Sequence, residues 1–202
     1  LPTNPYFQLD SISSYYTSIQ LKIPLGQALP NKISHIIYFR DTINNKDISF
    51  EGGTFSPRKN ETPISISSPV KGGNWLFINQ STLAYHFYTL FFVNGRIGTG
   101  ERYAFDNIQI DEQGEYFSGD PTVNESYYNY KDTLFAVANG TVISIKDGRP
   151  ENAGNSKNIT FSDVDELGGN YLILDIGNNH YAFYAHCVPG SFMVKPGDVI
   201  TD

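Results

Sequence analysis

Imidazole is the scarce chemical resource in this chain of 202 residues, which has four histidines and a single cysteine. Two of the histidines bracket one short stretch, HYAFYAH, residues 180–186. Read as a strand, its side chains alternate between faces. His180, Ala182, Tyr184 and His186 share one face, and Tyr181, Phe183, Ala185 and Cys187 share the other. One face packs; the other offers two imidazoles and a phenol. Imidazole suits general acid–base work near neutral pH and metal ligation. The same pattern also fits a half-exposed strand with ordinary polar residues. Pro189-Gly190 then turns the chain.

A second group is ERYAFD, residues 101–106. On a strand, Arg102, Ala104 and Asp106 share a face. Arg102 and Asp106 then form a surface ion pair of little worth, or Asp106 offers a carboxylate oxygen to a metal. His86 is the third candidate, inside the apolar run STLAYHFYTLFFV that reads as a strand. There it is either a hydrogen-bonded core residue or a ligand. His35, in ISHIIYF, has no polar companions and reads as structural. No glycine-rich phosphate loop, Gly-x-Ser-x-Gly elbow or HExxH is present.

The elements that must position these groups are strands. Tyr and Phe, 14 each, dominate the aromatics, which favours pleated structure. Short runs with a period of two recur between Gly, Asn, Asp and Pro: YYTSIQLKI (15–23), SHIIYFRD (34–41), DISFE (47–51), NYLILDI (170–176) and HYAFYAHC (180–187). No stretch carries an apolar helical stripe over three turns, and no fixed-period repeat occurs. The chain is therefore expected to be mostly β. Asn139-Gly140, between two β-rich runs in TLFAVANGTVISIKDG (133–148), predicts a two-residue hairpin turn. A boundary is expected within TPISISSPVKGGNW (62–75), dividing an N-terminal β-rich region, 1–66, from a core, 67–202.

The net charge of −7 and the absence of any long Lys/Arg cluster argue against a nucleic-acid partner. A lone Cys187 excludes an internal disulfide and a Cys-based zinc cluster. The longest apolar run, LAYHFYTLFFV (83–93), is too short to span a bilayer, so no transmembrane segment is expected. Five Asn-x-Ser/Thr sequons, at Asn60, Asn79, Asn124, Asn139 and Asn158, read as chance matches in an Asn-rich chain.

In order along the chain, SPVKGGNW (68–75), His86 followed by VNGR (93–96), ERYAFD (101–106), FAVANGTVISIKDGRPEN (135–152), GGNYLILDIG (168–177) and YAFYAHCVPGSFMVKPGDVI (181–200) resemble the lysostaphin-like, LytM-type zinc metallopeptidases. The resemblance covers about residues 66–202, and LPNKISHIIYF looks like the β-domain that precedes the core in one branch. It implies an antiparallel sheet whose groove holds one zinc, with hydrolysis of peptide cross-links in bacterial cell-wall peptidoglycan. The implied partner is peptidoglycan, or its stem and cross-bridge peptides. The implied location is secreted, periplasmic or on the cell envelope. The YAHCVPGS phrase assigns the catalytic role to His186, and ERYAFD assigns a metal-ligand role to Asp106. Tyr184 and Arg102 become the substrate-binding candidates. Arg102 stands where the family's early ligand His would be, and a guanidinium cannot ligate zinc; His86 is the expected replacement. The chain ends at VITD before any His-x-His phrase, so the third zinc ligand is expected outside it. The alternative is an inactive module that binds cell wall or regulates a partner.

Overall fold

The computed structural model describes residues 22–59, 62–79, 86, 91–93, 96–156 and 164–201. The chain divides into two compact units, Leu1–Ile64 and Ser65–Asp202. Of the first expected strand, 15–23, all but Lys22 and Ile23 lies outside the described residues.

The fold is mostly β, and every strand pair is antiparallel. In the first unit, β1 (Ile33–Asp41) and β2 (Lys46–Phe55) form a hairpin. The register sets Ile37 opposite Phe50 and Phe39 opposite Ile48, so β-branched and aromatic side chains pair across it. Its tip is fixed by Asp41, whose carboxylate accepts the N–H groups of Ile43 and Asn44. Asn45 takes the left-handed backbone there, with φ 50°.

The second unit begins with β3 (Trp75–Ile78), followed by β4 (Phe91–Val93) and β5 (Arg96–Gly98), which pair with each other. β6 (Asp106–Gln109) pairs with β3, Ile78 opposite Asp106. A four-stranded sheet of order β10-β7-β8-β9 follows. It comprises β7 (Gly140–Lys146), β8 (Tyr171–Asp175), β9 (Tyr181–Tyr184) and β10 (Val199–Ile200). Val142 and Leu174 face each other across β7 and β8 and are each only 1% exposed. These branched side chains carry the sheet's core, joined by buried Val70 and Val137. Segment 65–70 runs beside 135–137, since Ser67 N–H bonds Val137 O and Phe135 N–H bonds Pro69 O.

Several sequence expectations change. Asn139-Gly140 is not a hairpin turn: neither residue has left-handed backbone, and β7 starts at Gly140 and pairs with β8 and β10. Glycine serves close approach instead, because a Cβ there would lie 2.5 Å from Asp175 O and 2.9 Å from Leu174 Cγ. ERYAFD is not a strand, because 100–103 form a turn closed by Arg102 N–H to Thr99 O and Ala104 N–H to Glu101 O. Only Asp106 belongs to β6, so Arg102 and Asp106 do not share a strand face. HYAFYAHC is a strand only over Tyr181–Tyr184, which leaves His180 and His186 outside it.

Candidate metal and histidine site

Asp106 opens β6, and its partner Ile78 closes β3. The next residue, Asn79, leaves the strand with φ 57°, a conformation that Asn tolerates better than most side chains. This turn aims its amide across the pair: Asn79 Nδ2 donates to Asp106 Oδ2 at 2.6 Å. The other carboxylate oxygen, Oδ1, lies 3.6 Å from His86 Nε2. The His86 side chain is 13% exposed and that of Asp106 is 45% exposed, so the pair is walled on the imidazole side and open on the carboxylate side. His86 itself has 3-10-helical rather than extended backbone, and its neighbours at 80–85 and 87–90 lie outside the described residues.

The separation of 3.6 Å is too long for a hydrogen bond. It is close to the distance between two ligands of one tetrahedral zinc: bonds of about 2.0–2.2 Å to His nitrogen and carboxylate oxygen put the donors about 3.4 Å apart. Asn79 meanwhile occupies the second carboxylate oxygen, the kind of outer contact that orients a ligating carboxylate. The donor set therefore fits two positions of a zinc site. Among the described residues, no group of three His, Cys, Asp or Glu side chains comes together.

His186 lies at the opposite end of β9 from His180, on a distorted edge of the sheet. Continuing the register Leu172↔Tyr184 would set Asn170 opposite His186. Instead Cys187 N–H bonds Asn170 O at 2.9 Å, and His186 N–H bonds Gly168 O at 3.0 Å. One extra residue is thus accommodated on the β9 side, as in a bulge, and bulges re-aim side chains near functional sites. His186 takes φ 61°, where glycine is usual, and its side chain is exposed. Its Nδ1 would lie 3.6 Å from a Cβ on Gly169.

The other candidates have defined surroundings. Tyr184 Oη accepts the N–H of Val137 at 2.9 Å, so the phenol ties the 135–137 segment to β9. Arg102 is exposed, with its guanidinium 5.8 Å from the Tyr103 ring centroid. His180 follows a turn in which Gly177, Asn178 and Asn179 all have positive φ, and its N–H bonds Gly177 O. Cys187 is half-buried; burial, and then the nearby Asp147 carboxylate, push its thiol pKa up, so it stays protonated and is a poor nucleophile.

The structure thus brings Asp106 and His86 together. It places His186 on the sheet edge, Tyr184 under the 135–137 segment and Arg102 in the turn before β6. Two contributors were not foreseen, Asn79 and Asn170. A polar residue directly after a strand end would have drawn attention to Asn79 as more than a sequon. Asn170 gave no signal, because its partners are backbone groups of Arg149 and Cys187, up to 21 residues away.

No family model, no curated protein and no solved structure matches this chain. Nothing in those comparisons identifies a lysostaphin-like protein.

Proposed function

We propose that this chain carries the metal-binding half of a zinc-dependent endopeptidase that cuts peptide cross-links of bacterial peptidoglycan. The observation that carries the reading is the His86 Nε2–Asp106 Oδ1 separation of 3.6 Å, between residues 20 positions apart in sequence. His86 and Asp106 hold the ion, and Asn79 fixes the carboxylate. A zinc ion held there would supply Lewis-acid polarisation of a scissile carbonyl. His186, exposed beyond β9, moves a proton at its distal ring nitrogen, Nε2. The reading requires a third protein ligand beyond this pair.

Zinc titration, monitored by calorimetry and by the His86 ring signals, tests the site. Zinc is expected to bind at one equivalent and shift those signals; binding is expected to vanish in His86→Ala and in Asp106→Ala, and the ring shift in Asp106→Ala. Binding unchanged in both variants would overturn the assignment. Release of soluble peptides from purified peptidoglycan by the natural full-length protein, abolished by chelation and by His186→Ala, tests the reaction.

A second reading, a cell-wall-binding module without catalysis, is favoured by Arg102. It occupies the place that the resemblance gives to a ligand, and it sits in an exposed turn before β6. Retention on peptidoglycan without cleavage by the zinc-loaded full-length protein would establish it.

A further inference from the structure

We propose that Asn170 is a positioning residue for His186, holding it in its left-handed conformation from inside the sheet. Asn170 is 5% exposed, the buried polar side chain of the described core. Every polar atom of its amide is used. Arg149 N–H donates to Oδ1 at 2.8 Å, and Nδ2 donates to Arg149 O at 2.9 Å and to Cys187 O at 3.1 Å. Its own backbone carbonyl accepts Cys187 N–H at 2.9 Å. The two bonds to Cys187 grip the residue directly after His186, on its N–H and its C=O. Gly168 O takes the N–H of His186 itself.

The clamp is braced at both ends. Arg149 pairs with Glu166 at 3.2 Å, and Glu166 O accepts Gly169 N–H, so the strand of chain that supplies Gly168 and Asn170 is tied to the segment after β7. Asp147 Oδ1 accepts the N–H groups of Gly148 and Gly190, which ties the far side of the His186 loop to the same segment. A non-glycine residue at φ 61° persists where its surroundings over-determine it, and these contacts do so. An isolated buried amide without them would be costly, which makes Asn170 a specific choice for this position.

The consequence for turnover rests on the proposed role of His186; the clamp itself does not. Amide hydrogen exchange of the intact chain comes first. His186 and Cys187 amides are expected to exchange at least about a hundredfold more slowly than that of exposed Met193. Exchange as fast as Met193 would overturn the proposal. In Asn170→Ser and Asn170→Ala, those two amides are expected to lose most of that protection while Val142 and Leu174 keep theirs. Unchanged His186 and Cys187 protection in a folded variant would also overturn it. If both variants fail to fold, the unmodified chain decides alone. In full-length protein that cleaves peptidoglycan, Asn170→Ser should lower kcat about tenfold or more with KM nearly unchanged. If the unmodified protein cleaves nothing, the peptidase reading falls and the exchange data still decide the clamp.

Discussion

The two candidate regions, one around His186 and one around Asp106, are held by different kinds of force. His186 hangs from the four-stranded sheet, whose Val142–Leu174 contact is sealed from water and whose loops are tied to main chain by the Asn170 amide and the Asp147 carboxylate. Asp106 stands on the β3–β6 pair, four residues a strand, where every described side chain is at least partly exposed. There the geometry comes from side chains reaching across: Asn79 to Asp106, and Asp106 towards His86. Burial and side-chain bonds to the main chain set one region; contacts between side chains set the other. The first should respond to changes in packing, and the second to changes in charge and ligand.

The largest effect should come from the sheet. Leu174→Ala removes a side chain that is 1% exposed and should cost about 3 kcal/mol, read as a shift in denaturant midpoint. Leu76→Ala on β3, 43% exposed, should cost less than about 1 kcal/mol. Equal losses would erase the distinction between the halves. Gly140→Ala sharpens it from the packing side. The new methyl would meet Asp175 O at 2.5 Å, so β7 and β8 must part, at about 1–3 kcal/mol. A neutral result by thermal unfolding would mean that the sheet yields where it is described as tight.

On the polar half, Asn79→Gly keeps the left-handed backbone, frees Asp106 Oδ2 and should weaken zinc binding about tenfold with little change in stability. Titration by calorimetry beside a melting curve separates the two. The smallest effect concerns Asp111, just beyond β6. The N–H of Glu115, then the Tyr128 hydroxyl and the N–H of Gln113, hold its carboxyl below the ordinary range despite some desolvation. Its charged form is therefore the better one in the fold. The stabilisation is complete above the unfolded pKa and is lost as pH falls through the lower, folded value. Asp111→Asn should lower stability near neutrality, where that stabilisation is complete, and flatten the profile at the acidic end. A variant as acid-sensitive as the parent would refute this.

Strand identity was legible where alternation and β-branched content agreed, as in SHIIYFRD, DISFE and NYLILDI. It failed where a local signal had two physical causes. Asn-Gly announces a tight turn, but in Gly140 the missing Cβ makes room for a neighbouring strand. Alternation carried HYAFYAHC too far, because nothing local shows that Cys187, rather than His186, bonds Asn170. His86 and Asp106 were named as a pair on the family resemblance, and their proximity lies in the structure, not in their spacing.

By itself, then, the sequence determined a β-rich chain with few imidazoles and the residue types from which a metal or proton site could be built. Composition and period-two patterning act locally, so they are written in neighbouring residues. Only the tertiary structure decided that Asn79 turns back onto Asp106, that Asp106 faces His86, and that Asn170 grips the residue after His186. Each of those contacts closes a loop between distant segments, and such closure depends on which strands pair and in what register, which no short window of residues contains.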